Sequence, residues 1–316
     1  MKKTILLLLA LCLCFAAVGG AAAEKAAVEM TANLGDALAY INIGDLYLSG
    51  KGVEQDLKKA AEYYQKALEL EDDASEFQED LEELRAALYE TGKAAGTAKD
   101  YEKALEYYTL GADLNDPAAL YKLGDYYYFG LGVEQDSDRA CGYYQLAAAQ
   151  EYAPAQHMLG RCYLDGIGVE QNNEEALKYI RMAAEQGDLD GLTTLGYCYS
   201  EGRGVEQDYA EAMKCFLLAA EQDDPAALTN LGICYEYGLG VEQDYGKALE
   251  YYTLAAEQEF PIALFAVGDF YYQGLGVEKD MEQAKEWIRK ALDAGYAPDA
   301  EDEELVKAVL GDDYTP

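Results

Sequence analysis

"GLGVEQD" spans Gly130–Asp136 and returns letter for letter at Gly238–Asp244. Variants stand at Gly50–Asp56 (GKGVEQD), Gly166–Asn172 (GIGVEQN), Gly202–Asp208 (GRGVEQD) and Gly274–Asp280 (GLGVEKD). A glycine just before each stretch sets a frame. Gly124, Gly160, Gly196, Gly232 and Gly268 follow one another at steps of 36 residues. Gly44 belongs to the same series, 80 residues before Gly124, which leaves room for one further unit. That unit is "AGTAKDYEKALEYY" at Ala95–Tyr108, with Leu88 where the marker glycine is due and eight extra residues in the acidic stretch before it. Seven units result: 37–79, a degenerate 80–116, 117–152, 153–188, 189–224, 225–260 and 261–296. A fixed period of this length is the signature of a stacked repeat architecture.

Each unit reads as two helices. In the sixth, Ala227, Leu231, Gly232, Tyr235 and Gly238 fall on one broad side of a first helix. Ala248, Tyr251, Tyr252, Ala255 and Ala256 do the same for a second. Pro117, Pro154, Pro225 and Pro261 stand near first-helix starts, where a missing N–H costs little. The stretch between the helices lacks the Lys or Ser/Thr of a phosphate loop and the alternating oxygens of a calcium loop. It reads as a turn. Its first glycine ends helix one at positive φ, its second permits the reversal, its valine plugs the hairpin and its Asp caps helix two. Glu211, three residues after Asp208, suggests a capping box in the fifth unit. Neither helix of a pair can bury its apolar side alone, so the expected fold is an all-α solenoid of antiparallel helix pairs.

The pattern A-x3-LG-x2-Y-x2-G-x-GV-x2-D-x3-A-x2-YY-x2-AA, read in full from Ala227 to Ala256, resembles the Sel-1-like repeat of the tetratricopeptide-repeat superfamily. The resemblance covers about 37–296 and departs at the first helix of unit two, at Cys215-Phe216 and at Trp287-Ile288. It implies a right-handed superhelical scaffold for protein–protein interaction, without naming a partner. Some cysteine-rich relatives carry β-lactamase-type labels, which implies cell-wall-ligand binding or β-lactamase-like activity as an alternative. This chain lacks the cysteine pair per unit that accompanies those labels.

Lys2 and Lys3, the apolar run Ile5–Val18 and Ala21-Ala22-Ala23 read as a secretory signal peptide over 1–23. Residues 24–36 are expected to form an N-terminal cap segment, and 297–316 a polar capping helix and tail, with Leu305, Val306, Val309 and Leu310 on its inner face. The expected location is therefore extracellular or periplasmic, with no membrane association after cleavage. A formal charge of −36 repels nucleic acid and anionic lipid. The same acidity offers another alternative function, an acidic surface that holds cations or basic proteins.

Offsets −3, +1 and +4 from the marker glycine share a first-helix face roughly opposite the invariant side, and their occupants vary. They include Tyr121, Asp125 and Tyr128; His157, Arg161 and Leu164; Tyr197; Ile233 and Glu236; and Phe265, Asp269 and Tyr272. Aromatic residues with a few charges are what interfaces enrich, so this stripe is the expected groove for a protein or peptide partner. The plainer alternative is that its tyrosines only cover exposed helix. One histidine permits no His-rich metal set, and no nucleophile–base pair is indicated, so no cofactor and no catalytic residue is expected. Among five cysteines beyond the signal peptide, Cys141 and Cys162 stand level across an antiparallel pair and are the candidate disulfide; buried thiols serving as small apolar residues are the alternative.

Overall fold

A computed structural model describes residues 37–51, 53–70 and 77–311. The expected signal peptide, the N-terminal cap segment and the tail at 312–316 lie outside the described residues. Fifteen α-helices and no strand occur among the described residues, and the chain is an all-α solenoid of helix pairs. It divides into two compact units, Met1–Tyr152 and Ala153–Pro316.

In the first unit, α1 (Ala37–Ser49) pairs with α2 (Leu57–Leu68), α3 (Gln78–Thr97) with α4 (Tyr101–Asp113), and α5 (Pro117–Phe129) with α6 (Ser137–Ala148). In the second unit the pairs are α7 (Ala153–Asp165) with α8 (Asn173–Glu185), α9 (Leu189–Glu201) with α10 (Tyr209–Ala220), α11 (Pro225–Tyr237) with α12 (Tyr245–Ala256), and α13 (Pro261–Gln273) with α14 (Met281–Asp293). There α15 (Ala300–Leu310) follows as a lone helix, with Val306, Val309 and Leu310 buried, Leu305 half-buried and Glu301 and Glu304 exposed.

The marker glycine lets the two helices of a pair touch. A Cβ on Gly232 would lie 2.5 Å from the Tyr252 ring, closer than any real carbon contact. Gly196 meets Phe216 in the same way, and Gly160 and Gly268 meet Ile180 and Ile288. Beside this contact, the Tyr252 hydroxyl donates to the Glu236 carboxylate at 2.6 Å. The degenerate second repeat keeps the contact by moving it one helical turn. Leu88 is buried, and Tyr108 packs instead against Gly92, where a Cβ would lie 2.8 Å from the ring. Its first helix, α3, runs 20 residues where the others run 13, and the glycine loop is absent. Lys99, at φ 62°, makes the turn to α4.

The loop Gly238–Asp244 is a turn, and each of its letters but one has a visible partner. Gly238 ends α11 at φ 69°, and its N–H donates to the Cys234 carbonyl. The Asp244 carboxylate accepts from the Lys247 N–H at 3.0 Å, while its own N–H donates to the Tyr235 carbonyl at 2.9 Å and closes the hairpin. Gly240 does more than reverse the chain. A Cβ there would lie 2.9 Å from the Tyr209 backbone, so the loop rests on the start of the preceding repeat's second helix. Val241 is half-buried against the same core. The glutamine has a role the sequence did not suggest. Gln135, Gln171, Gln207 and Gln243 each donate through Nε2 to a carbonyl in the last turn of their own first helix, at 2.7–2.9 Å. They satisfy acceptors that a helix end otherwise leaves open. In repeat seven Lys279 replaces the glutamine and lies over the Tyr272 ring at 4.6 Å.

The capping box at Asp208 is only half formed. Asp208 accepts from the Ala210 and Glu211 N–H groups, but its own N–H is already committed to the Tyr199 carbonyl. Glu211 therefore turns outward and accepts from Lys214 at 2.5 Å.

Candidate functional site

The variable first-helix stripe is less open than its sequence suggests. Offset −3 is mostly interior: Ile41, His157, Thr229 and Phe265 are all buried. Successive first helices pack against each other through it. His157 Nε2 lies 3.0 Å from the Thr194 hydroxyl one repeat on, and the Thr193 hydroxyl donates to Asp224 at 3.2 Å. Burial holds the His157 imidazole down to about 4, with Asp190 opposing and Arg161 reinforcing. The expectation that His157 lines an open groove is therefore corrected; its ring fills the seam between first helices. Phe265 is likewise taken up by stacking on Tyr296 at 4.5 Å.

The remaining stripe residues divide by unit. In the first, Tyr121 packs on Tyr144 and Tyr152 at 5.8 and 5.7 Å, and Asp125 accepts from Tyr144 at 3.0 Å and from Lys122 at 2.9 Å. Tyr128 is half-buried and meets Phe129 edge-on at 4.9 Å; Phe129 is itself 62% exposed. In the second unit, Leu164 is buried, and Ile233 and Glu236 are half-buried. Asp269 accepts from Gln273 at 2.7 Å, and burial raises its carboxyl above the usual range. Tyr272 is half-buried beneath Lys279. Arg161 and Tyr197 are the stripe members that stand exposed, Tyr197 at 44%.

Those two border a hollow of about 290 Å³ in the second unit, walled also by Leu164, Asp165, Thr193 and Arg203. Arg203 was not singled out in the sequence. It is the variable letter of GRGVEQD, where the other loops carry Lys51, Leu131, Ile167, Leu239 and Leu275. Its Nη2 donates to the Leu164 carbonyl at 2.9 Å and to Asp165 at 3.1 Å. The signal was present, one arginine where four of the five other loops carry Leu or Ile, but a loop read only as a turn gave no reason to weigh it. Asn230 completes the rim, its amide donating to the Ala226 carbonyl at 2.9 Å.

The five described cysteines are all buried, and the disulfide expected between Cys141 and Cys162 is not formed. Both occupy packing positions. In register with Cys162 stand Leu46, Tyr126, Cys198, Cys234 and Phe270; in register with Cys141 stand Ala61, Leu105, Leu177, Met213, Leu249 and, in the last repeat, Lys285. Each thiol fills space that an apolar side chain fills in most other repeats. Burial pushes Cys198, Cys215 and Cys234 up to about 11. No group of three or more His, Cys, Asp and Glu among the described residues could hold a metal ion. No helix among them is long and apolar enough to cross a membrane.

Tandem antiparallel helix pairs joined by a capped glycine turn define a helix-repeat interaction scaffold. Seven stretches, 37–72, 84–116, 117–152, 153–188, 191–224, 225–260 and 261–296, match the Sel1 repeat, and the chain belongs to that family. Among solved structures it is similar to a protective antigen of uropathogenic Escherichia coli with an SLR fold. There the identity is 28% and the TM-score 0.58, over 90% of this chain and 59% of that one. This chain therefore spans less than two thirds of that relative's length. It is also similar to a Sel1 repeat protein from Oxalobacter formigenes, at 32% identity and TM-score 0.57, over 72% of this chain and 94% of that one. An immunity protein of Pseudomonas aeruginosa shares the fold at 22% identity and TM-score 0.51, over 66% and 81% of the two chains. No curated protein matches the chain.

Proposed function

We propose that the protein is an exported, non-enzymatic scaffold that binds a protein or peptide segment on the first-helix face of its second unit. The observation that carries this reading is the hollow beside Tyr197. At positions set by the repeat register, packing leaves Arg161 and Tyr197 exposed, although the residues flanking them are buried. An exposed aromatic beside an arginine in a shallow depression has the composition of an interface anchor. Reading the scaffold as non-enzymatic draws support from its candidate reacting groups. His157 is buried, and the thiols of Cys198, Cys215 and Cys234 are held far from ionisation at neutral pH. Export rests on the order of Lys2, Lys3, the run Ile5–Val18 and Ala21–Ala23.

Affinity capture from an extracellular or envelope extract, read by mass spectrometry, tests the interaction. The protein is compared with a Tyr197→Ala variant. Loss of the captured protein, with an unchanged far-ultraviolet melt, is the expected result. Capture that survives the substitution contradicts the reading.

A further inference from the structure

We infer that the hollow between Arg161 and Arg203 is a carboxylate-binding subsite, which takes an acidic side chain or the C-terminal carboxylate of a bound peptide. This rests on the proposed interaction face and names its chemistry. The chain carries 60 acidic residues against 24 basic ones, so two guanidinium groups lining one small depression run against its average character. Arg203 is fixed from behind. Its Nη2 donates to the Leu164 carbonyl and to Asp165, the guanidinium also hydrogen-bonds Tyr197 at the rim, and its side chain keeps 31% of its surface in solvent. A guanidinium has five N–H donors in a planar fork, so donors remain available on the open side. Arg161 is exposed and makes no hydrogen bond or ion pair with any described residue.

Asp165 neutralises one of the two charges, and the lining keeps a net positive charge. The rest of the wall is mixed: the Leu164 side chain and the edge of Tyr197 are apolar, and the Asn230 amide keeps one N–H beyond its bond to the Ala226 carbonyl. A planar two-oxygen anion matches a guanidinium fork in bidentate fashion. The volume of about 290 Å³ admits one side chain or chain end, and not a folded element. Charges more than about 8 Å away are screened at physiological salt, so the protein's overall acidity weakens the site less than its immediate lining strengthens it.

The test uses three tetrapeptide probes: Ac-Ala-Ala-Glu-Ala-amide, its Gln counterpart, and Ac-Ala-Ala-Ala-Ala with a free C-terminus. Arginine Nε–H resonances of the full chain are followed by nitrogen-edited NMR and assigned through Arg161→Gln and Arg203→Gln. The expected result is a saturable shift of both signals with the Glu probe or with the free C-terminus, at least about tenfold tighter than with the Gln probe. Arg161→Gln removes it while the protein keeps its melting temperature, because Arg161 is exposed. Which carboxylate probe acts identifies the source. Equal response to the Glu and Gln probes, a response to inorganic phosphate alone, or still signals up to about 20 mM carboxylate overturns the subsite. Such a failure, together with loss of partner capture in the tyrosine variant, would strike this inference alone and leave the interaction face standing.

Discussion

The His157 imidazole and the Thr194 hydroxyl lie 3.0 Å apart across the seam between two successive first helices, and the histidine is 95% withdrawn from solvent. A neutral imidazole fits that seam; a charged one would lose its hydration there. The folded chain holds this group down to about 4, whereas an unfolded chain releases it near 6.5. The unfolded state thus binds more protons in that window. The stabilising contribution is whole above pH 6.5 and falls away as pH drops towards 4, by roughly 3 kcal/mol at most. Denaturant unfolding of the wild type and of His157→Gln at pH 7, 5.5 and 4 should show a difference that closes as pH falls. Buried carboxyls such as Asp116 and Asp188, raised by desolvation, pull the other way but are common to both proteins.

The glutamine of the loop makes a separable claim. Gln207 donates to the Ser200 carbonyl at 2.7 Å and to the Tyr209 hydroxyl at 2.9 Å. Gln207→Ala should cost about 1 kcal/mol in urea unfolding. Glu206→Ala, at the exposed neighbouring letter, should stay within about 0.5 kcal/mol. Equal costs would show that the loop acts through composition and not through that bond.

Close approach of the paired helices predicts a larger loss at the marker glycine. Gly232→Ala places a methyl group against the Tyr252 ring, and repacking should cost about 1–3 kcal/mol. Amide exchange in α11 and α12 should quicken more than in the second repeat, where Gly92 carries the equivalent contact. Uniform acceleration would locate the strain elsewhere.

Thiol chemistry gives a further check. With Cys198, Cys215 and Cys234 buried and pushed up to about 11, alkylation at pH 8 should be negligible in the native protein and complete on denaturation. A reductant should leave the melting temperature unchanged. A drop on reduction would restore the disulfide that the structure does not form.

Register explains what the sequence could and could not reveal. The period of the glycines and the loop caps are local chemistry repeated in copies, so helix pairs, turns and the degenerate second repeat were open to direct reading, although the shift of its contact to Gly92 was not. Whether a first-helix position is exposed is set by the next repeat. His157 and Phe265 share with Arg161 and Tyr197 a stripe that a helical wheel places outward, yet Thr194 and Tyr296 cover the former pair. Arg203 escaped notice for a related reason. It lies on a loop, and its link to Arg161 comes from α7 and α9 stacking, with Leu164 and Asp165 receiving its guanidinium. Side chains brought together by stacking leave no spacing signal in one chain.

The central claim is that ligand is read on the first helices. Peptides selected by display on the purified protein can be mapped by hydrogen exchange. The account predicts slowed exchange around Arg161, Tyr197 and Arg203. Protection centred instead on the exposed second-helix leucines Leu218 and Leu254, with the first helices unchanged, would contradict it.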